Sequence, residues 1–215
     1  MAPLVVLVLG SLFAAWIQSA VNVPPATHIT AAEVLLTEPS SSEEADTAAT
    51  NHKLAPFFSP SVQYWRKDIL RWARQWQLDP NLVATVMQIE SCGDPRAISH
   101  AGAMGLFQVM PFHFQPGENP YDPDTNAMRG MAYLHRALDA FGQNPRLALA
   151  GYNGGIGGAS QAESLWSAEM VRYAYWGSGV YADARAGKKN SPRLQEWLNA
   201  GGASLCAQAE RALTK

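Results

Sequence analysis

From Ser61 onward, apolar side chains recur with the spacing of helices packed on one face. Trp65, Ile69, Trp72, Ala73 and Trp76 follow the i, i+4, i+7, i+8 pattern and predict an amphipathic helix. Asp79-Pro80 then combines an N-cap with a proline at the first helical position, and the stripe continues through Val83, Val86 and Met87 to position 90. Asp122-Pro123 opens a third helix with the face Ala127, Met131, Leu134, Leu138 and Phe141, which Gly142 is placed to end. Asn144-Pro145 starts a short helix through Ala150, another is predicted over about Glu163 to Trp176, and Ser191-Pro192 caps one more to about Asn199. No sustained period-2 alternation bounded by hairpin turns occurs, so the predicted fold class is mainly α, with Gly- and Pro-rich loops between short helices.

The amino-terminal quarter is different. Residues 2–21 carry no charged side chain and are about as long as the ~20 apolar residues of a membrane-spanning helix. A secretory signal is the competing reading, although no Lys or Arg precedes the run; the alternative, a buried core helix, fits poorly with the polar linker that follows. Either export reading places the rest of the chain outside the cytoplasm. Residues 22–56, with Pro24-Pro25, Pro39 and Ser40-Ser41-Ser42, read as a flexible acidic linker. The expected organisation is therefore a signal peptide or membrane anchor at 1–21, a disordered linker at 22–56 and a folded domain at 57–215.

Composition refines this picture. The 215 residues are 47% hydrophobic and only 16% charged, which excludes a wholly disordered chain. Seven Trp and seven Tyr are too many for a coiled coil or an Ala- and Leu-based solenoid. The formal net charge is −2, and the five acids of residues 21–60 face only Lys53, so the folded part is nearly neutral. A basic nucleic-acid-binding surface is not expected. The five histidines are scattered without metal-ligand spacing, and no cofactor is expected; His113 reads as a loop residue. Cys92 and Cys206 are too few for a structural zinc site and are candidates for one disulfide after export, the alternative being two unrelated buried thiols. Trp65, Trp72 and Trp76 read as packing residues, whereas Trp166, Tyr173, Tyr175, Trp176 and Tyr181 divide between core and a ligand cleft.

One residue breaks the pattern. Glu90 falls on the apolar stripe of its helix, with no Lys or Arg within the preceding turn. A carboxyl group taken from water without a partner titrates late, which suits a general acid near neutral pH. The alternative is a glutamate at a fraying helix end, reaching solvent. Downstream, the Gly-flanked turn Gly105-Leu106-Phe107-Gln108-Val109-Met110-Pro111 carries one polar side chain, and Ala150-Gly151-Tyr152-Asn153-Gly154-Gly155 reads as a flexible loop presenting an aromatic ring and an amide.

Taken in order, Gln88-Ile89-Glu90-Ser91, these two segments and Glu169-Met170-Val171-Arg172-Tyr173-Ala174 resemble the successive motifs of soluble lytic transglycosylases. The resemblance covers about residues 61 to 183. It implies a lysozyme-like helical domain, related to goose-type lysozyme, that cleaves the β-1,4 bond between N-acetylmuramic acid and N-acetylglucosamine in peptidoglycan. By the same resemblance Glu90 is the sole acid/base, Ser91 and Gln108 line the cleft, Tyr152 and Asn153 contact the reacting sugar, and Glu169 and Tyr173 complete the glycan site. The partners implied are peptidoglycan strands, with residues 2–21 as a possible tether and a monomer expected in the cell envelope. Gly151 stands where the family commonly has Ala, Met170 replaces the usual Thr, and Tyr175-Trp176-Gly177-Ser178-Gly179 reads as an extra loop. Asp94, between Gly93 and Pro95, reads as a turn residue and not as the second carboxylate of an ordinary glycosidase. With one acid, the substrate's own 6-hydroxyl is expected to attack C1, closing a 1,6-anhydro ring. The alternatives are a hydrolase of the goose-type lysozyme kind and a non-catalytic glycan-binding protein of the envelope.

Overall fold

The computed structural model describes residues 53–214. The expected signal or anchor at 1–21 and nearly all of the linker at 22–56 lie outside the described residues. Among those described, helices dominate and no strand forms; the only ladder contacts are isolated bridges from Met104 to Ile98 and to Val109. No helix among them is long and apolar enough to cross a membrane.

Four of the predicted helix starts carry the cap their sequence advertises, at Asp79, Asp122, Asn144 and Ser191, the last accepting from Leu194 N. Helix α1 spans Pro60–Tyr64 and α2 Arg66–Gln75. Helix α3 spans Pro80–Glu90, with the Asp79 carboxylate accepting from Asn81 N. Helix α4 spans Pro123–Ala140, where Asp122 accepts from Thr125 N, and α5 spans Pro145–Gly154, where Asn144 accepts from Arg146 N and Leu147 N. Each such cap satisfies amide groups that the first helical turn leaves unpaired. The predicted helix through Trp76 is in fact two, broken at Trp65. The Trp65 indole N–H donates to Gly93 O at 2.8 Å, fastening this break to the turn that follows α3.

Two segments expected as loops are helical. Helix α5 continues through Tyr152 and Asn153 to Gly154, and after the short α6 (Ile156–Ala159), helix α7 runs from Ala168 to Arg185 straight through Tyr175–Gly179. The cause is tertiary. A Cβ on Gly154 would stand 1.8 Å from the Met170 terminal methyl, and one on Gly177 would stand 3.1 Å from Leu149 and 3.5 Å from Ile89. These glycines let α7 lie close to α5 and α3, and the packing outweighs the roughly 1 kcal/mol per residue that glycine costs a helix. Helix α8 (Pro192–Trp197) leads through a π-helical turn with a kink at Gly201 into α9 (Ala203–Leu213), which the apolar pattern did not announce.

The core is continuous around α3. Leu82, Val83, Val86 and Met87 are buried against Ile69, Trp72, Leu106, Phe107, Met131, Leu134 and Leu149, so α3 is a central helix sheathed by α2, α4, α5 and α7. Trp65 and Trp72 stack at 6.3 Å and Trp72 meets Phe107 edge-on at 5.8 Å, which gives two of the helix-spaced tryptophans the packing role expected of them. Sheathing α3 this way delivers its last residue, Glu90, to the place where α7, α5 and the 105–111 turn converge.

Candidate active site

Glu90 ends α3, and Ser91 is its C-cap with φ −137°. The residue is half-buried, and protein atoms packed around the carboxyl group strip it of most hydration. That desolvation pushes its pKa up to about 8; the Tyr173 hydroxyl works against the shift and the charge of Glu169 adds to it. Tyr173 Oη stands close enough to act on the carboxyl, yet its geometry falls short of a hydrogen bond, so this buried hydroxyl has no partner. None of the ion pairs among the described residues includes Glu90. The group therefore holds its proton at neutral pH and has an idle donor beside it that would favour the carboxylate once the proton leaves.

Ser91 is expected in the cleft, but the structure buries it completely. Its hydroxyl donates to Leu106 O at 2.7 Å and accepts from Gly93 N at 3.0 Å. It ties the end of α3 to the 105–111 turn and has no surface left for a sugar. Asp94 is likewise occupied: its Oδ1 accepts from Arg96 N and its Oδ2 from Gln208, which makes it a turn residue as the sequence predicts.

The 105–111 turn is held from the far side by a residue that no motif singled out. Asn126, on α4, is 1% exposed and accepts from Phe107 N at 2.9 Å while donating to Met104 O at 2.8 Å and Pro120 O at 2.9 Å. One turn later, Gly130 lets Phe107 and the Tyr152 hydroxyl approach to 2.7 and 3.1 Å of where a Cβ would be. Tyr152 Oη donates to Phe107 O at 2.8 Å. Its pKa is pushed well above the ordinary phenol value by desolvation, then by the charge of Glu90, which places Tyr152 in the field of that carboxyl group.

Gln108 takes a left-handed φ of 46°, uncommon for a side-chain-bearing residue, and its amide donates to Gly105 O at 3.0 Å and Ala97 O at 3.2 Å. Gln108, Tyr152 and Asn153 line a groove of about 160 Å³ together with Val109, Met110, His113 and Tyr133. Glu169 is exposed on the first turn of α7, four residues before Tyr173, so both project from one side of that helix. Thus Glu90, Tyr152, Tyr173 and Glu169 converge electrostatically, and Gln108 and Asn153 border the adjoining groove.

The sulfur atoms of Cys92 and Cys206 are bonded, with Cα atoms 5.0 Å apart. The buried Gln88 amide donates to Cys92 Sγ at 3.0 Å, Cys206 Sγ at 3.3 Å and Ser59 Oγ at 2.9 Å, and it accepts from Ser59 N at 3.0 Å. Cys92 too has a positive φ, 51°. The bridge pins α9 to the turn just after Glu90. Cys206→Ser is expected to lower stability by about 2–4 kcal/mol, because a cross-link over a long loop restricts the unfolded chain; urea unfolding measures this.

The model of the family "Transglycosylase SLT domain" matches residues 67–170. This stretch includes α3, Glu90, the 105–111 turn, α4, α5 and the first turn of α7. Over these residues the chain is similar to the transglycosylase SLT domain. Among curated relatives of this domain, a "Transglycosylase" of Enterobacteria phage PRD1 is 40% identical over 54% of this chain and 42% of its own length. A "Membrane-bound lytic murein transglycosylase C" of Salmonella arizonae is 33% identical over 46% of this chain and 34% of its own length. The chain thus spans less than half the length of these relatives. A solved structure of an inactive mutant of lytic transglycosylase Slt from Pseudomonas aeruginosa is 25% identical, covers 60% of this chain and 25% of its own, and has a TM-score of 0.49. The described residues hold no group of three His, Cys, Asp or Glu able to bind a metal. What they offer chemically is one protonated carboxyl group with phenols around it.

Proposed function

We propose that this chain is a lytic transglycosylase of peptidoglycan. It cleaves the N-acetylmuramic acid–β-1,4–N-acetylglucosamine bond on a lysozyme-like helical domain, residues 57–215, and leaves 1,6-anhydro ends. The observation that carries the reading is the Glu90 carboxyl group, pushed up to about 8 by lost hydration with no cationic partner. The similarity to the SLT domain and the lytic transglycosylases among its relatives support the substrate class.

In this reading Glu90 is the only acid/base. Its proton passes to the glycosidic oxygen as the bond to C1 breaks, and the N-acetyl group of the muramoyl residue supports the charge developing at C1. The resulting carboxylate takes the proton of that sugar's 6-hydroxyl as O6 bonds to C1, which returns Glu90 to its starting form. No water is consumed. Nucleophile and electrophile are already joined, so effective concentration replaces the second carboxylate of an ordinary glycosidase. Tyr173 supports Glu90 while it is ionised, since its hydroxyl has no other partner. Gln108, Tyr152, Asn153 and Glu169 border the bound strand, whereas Ser91 positions the helix end that carries Glu90. The apolar run at 2–21 brings the domain to the cell envelope as signal or anchor, in keeping with the membrane-bound relatives.

Mass spectrometry of digested sacculi tests the reaction. Products with 1,6-anhydro ends, 18 Da lighter than hydrolytic ones because water is not added, are expected. Ordinary reducing ends would make the enzyme a hydrolase.

A further inference from the structure

The groove beside Tyr152 continues away from Glu90 along residues that the proposed chemistry does not use. A short 3-10 turn, Pro111–His113, follows the Gly105–Pro111 segment and presents Phe112, which is 75% exposed. From there the rings form an unbroken row: Phe112 to His113 at 4.6 Å, His113 to Tyr133 at 5.0 Å, and Tyr133 to Tyr152 at 5.8 Å. All four line the same groove. A phenylalanine this exposed gives little to the core, and burying its ring against a ligand would recover hydrophobic free energy that folding leaves unused.

The chemistry along the row fits one class of ligand. Desolvation and the nearby charge of Arg136 hold the His113 pKa below its ordinary value, so the ring is neutral at pH 7 and presents an aromatic surface. Arg136 covers the Tyr133 ring at 5.1 Å, and Arg129, also at the groove, is neutralised by Glu118 at 2.5 Å. Flat apolar faces alternating with amide and hydroxyl groups, with little free charge at the groove itself, suit the C–H faces and hydroxyls of a pyranose. A linear polysaccharide seated at Tyr152 and Asn153 must leave the site along some surface, and this groove is continuous with that point.

We propose that Phe112, with His113 behind it, is a stacking site for an additional sugar ring of the glycan strand, making these two residues determinants of the strand length the enzyme prefers. This rests on the transglycosylase reading above.

The test uses the full chain carrying Glu90→Gln to prevent turnover, with N-acetylglucosamine oligomers of two to six units as probes in calorimetric titration. Adding Phe112→Ala should weaken binding of the longest oligomer about 3- to 10-fold, the scale of one aromatic contact, and leave the dimer unchanged. Phe112→Trp should restore the longer-oligomer affinity. Because Phe112 is exposed, thermal unfolding should be nearly the same for all three proteins. Equal affinities with and without Phe112 at every length would overturn the stacking site and leave the transglycosylase reading intact. A uniform loss at all lengths would also overturn it, since the residue would then act on the whole groove. Absence of binding at any length, together with absence of anhydro products from the unmutated chain on sacculi, would remove both.

Discussion

Replacing Glu90 with Gln is expected to reduce turnover of murein by at least about 10²–10⁴-fold, the contribution of a positioned general acid, while oligosaccharide binding is largely kept. Gln has the shape and hydrogen-bonding edge of the protonated acid but no proton to give. The fall should therefore appear in kcat, with KM little changed, in assays of soluble murein fragments. Residual turnover near the parent level would place the acid elsewhere, though not on Glu118, Asp124 or Asp183, whose hydrogen-bonded carboxylates are held below their ordinary range. The parent should stay active while Glu90 holds its proton and lose activity as pH rises through about 8.

The same shift has a stability signature. Below about pH 4.5 both folded and unfolded chains carry the Glu90 proton. Between about 4.5 and 8 the unfolded chain releases it while the folded chain keeps it, so the native state binds more protons and its stability falls as pH rises. Above about 8 the loss is complete and constant. Glu90→Gln removes this dependence. Its melting temperature relative to the parent should match at pH 4, climb through neutrality and level off in mild alkali; a difference independent of pH would mean that Glu90 is solvated like a surface residue.

Legibility in the sequence followed the range of the forces involved. Asp79, Asp122 and Asn144 act within one helical turn, and all three cap where the pattern placed them. Glu90 was visible as a charge on an apolar stripe, because the periodicity of α3 alone determines which face that position shares. Around Tyr152 and Asn153 glycine's local penalty points to a loop, whereas the distant Met170 that packs on Gly154 and makes the segment helical leaves no local trace. Tyr175–Gly179 is helical for the same reason, through the distant Leu149 and Ile89 beside Gly177. Ser91, expected to line the cleft beside Glu90, is buried instead, because its hydroxyl reaches Leu106 fifteen residues away. Asn126 gave no local signal, since an asparagine on a helix looks ordinary until the loop it holds is known.

That asparagine should be among the least replaceable side chains outside the reacting groups. Asn126→Ala leaves Phe107 N without its acceptor and Pro120 O without its donor, while Met104 O loses one of two donors and keeps Val109 N. An unpaired buried polar group costs about 1–3 kcal/mol, and partial access of water to the loop offsets some of the cost of the two. A loss of about 2–5 kcal/mol is expected in urea unfolding. The effect on catalysis should outlast the effect on folding. Phe107 also receives the Tyr152 hydroxyl, and its neighbour Leu106 receives Ser91, so one loop sets both the phenol near Glu90 and the end of the helix that carries it. With the protein kept fully folded at low temperature, Asn126→Ala should still cleave murein at least about tenfold more slowly, since misplacement by about 1 Å can cost 10²-fold. Asn126→Asp discriminates further: its carboxylate can still accept from Phe107 N but cannot donate to Met104 O or Pro120 O, so it should recover part of the activity and little of the stability. If instead Asn126→Ala turns over at the parent rate once folded, the loop holds its geometry without this anchor, and the coupling of Ser91 and Tyr152 through residues 106 and 107 has no part in placing Glu90.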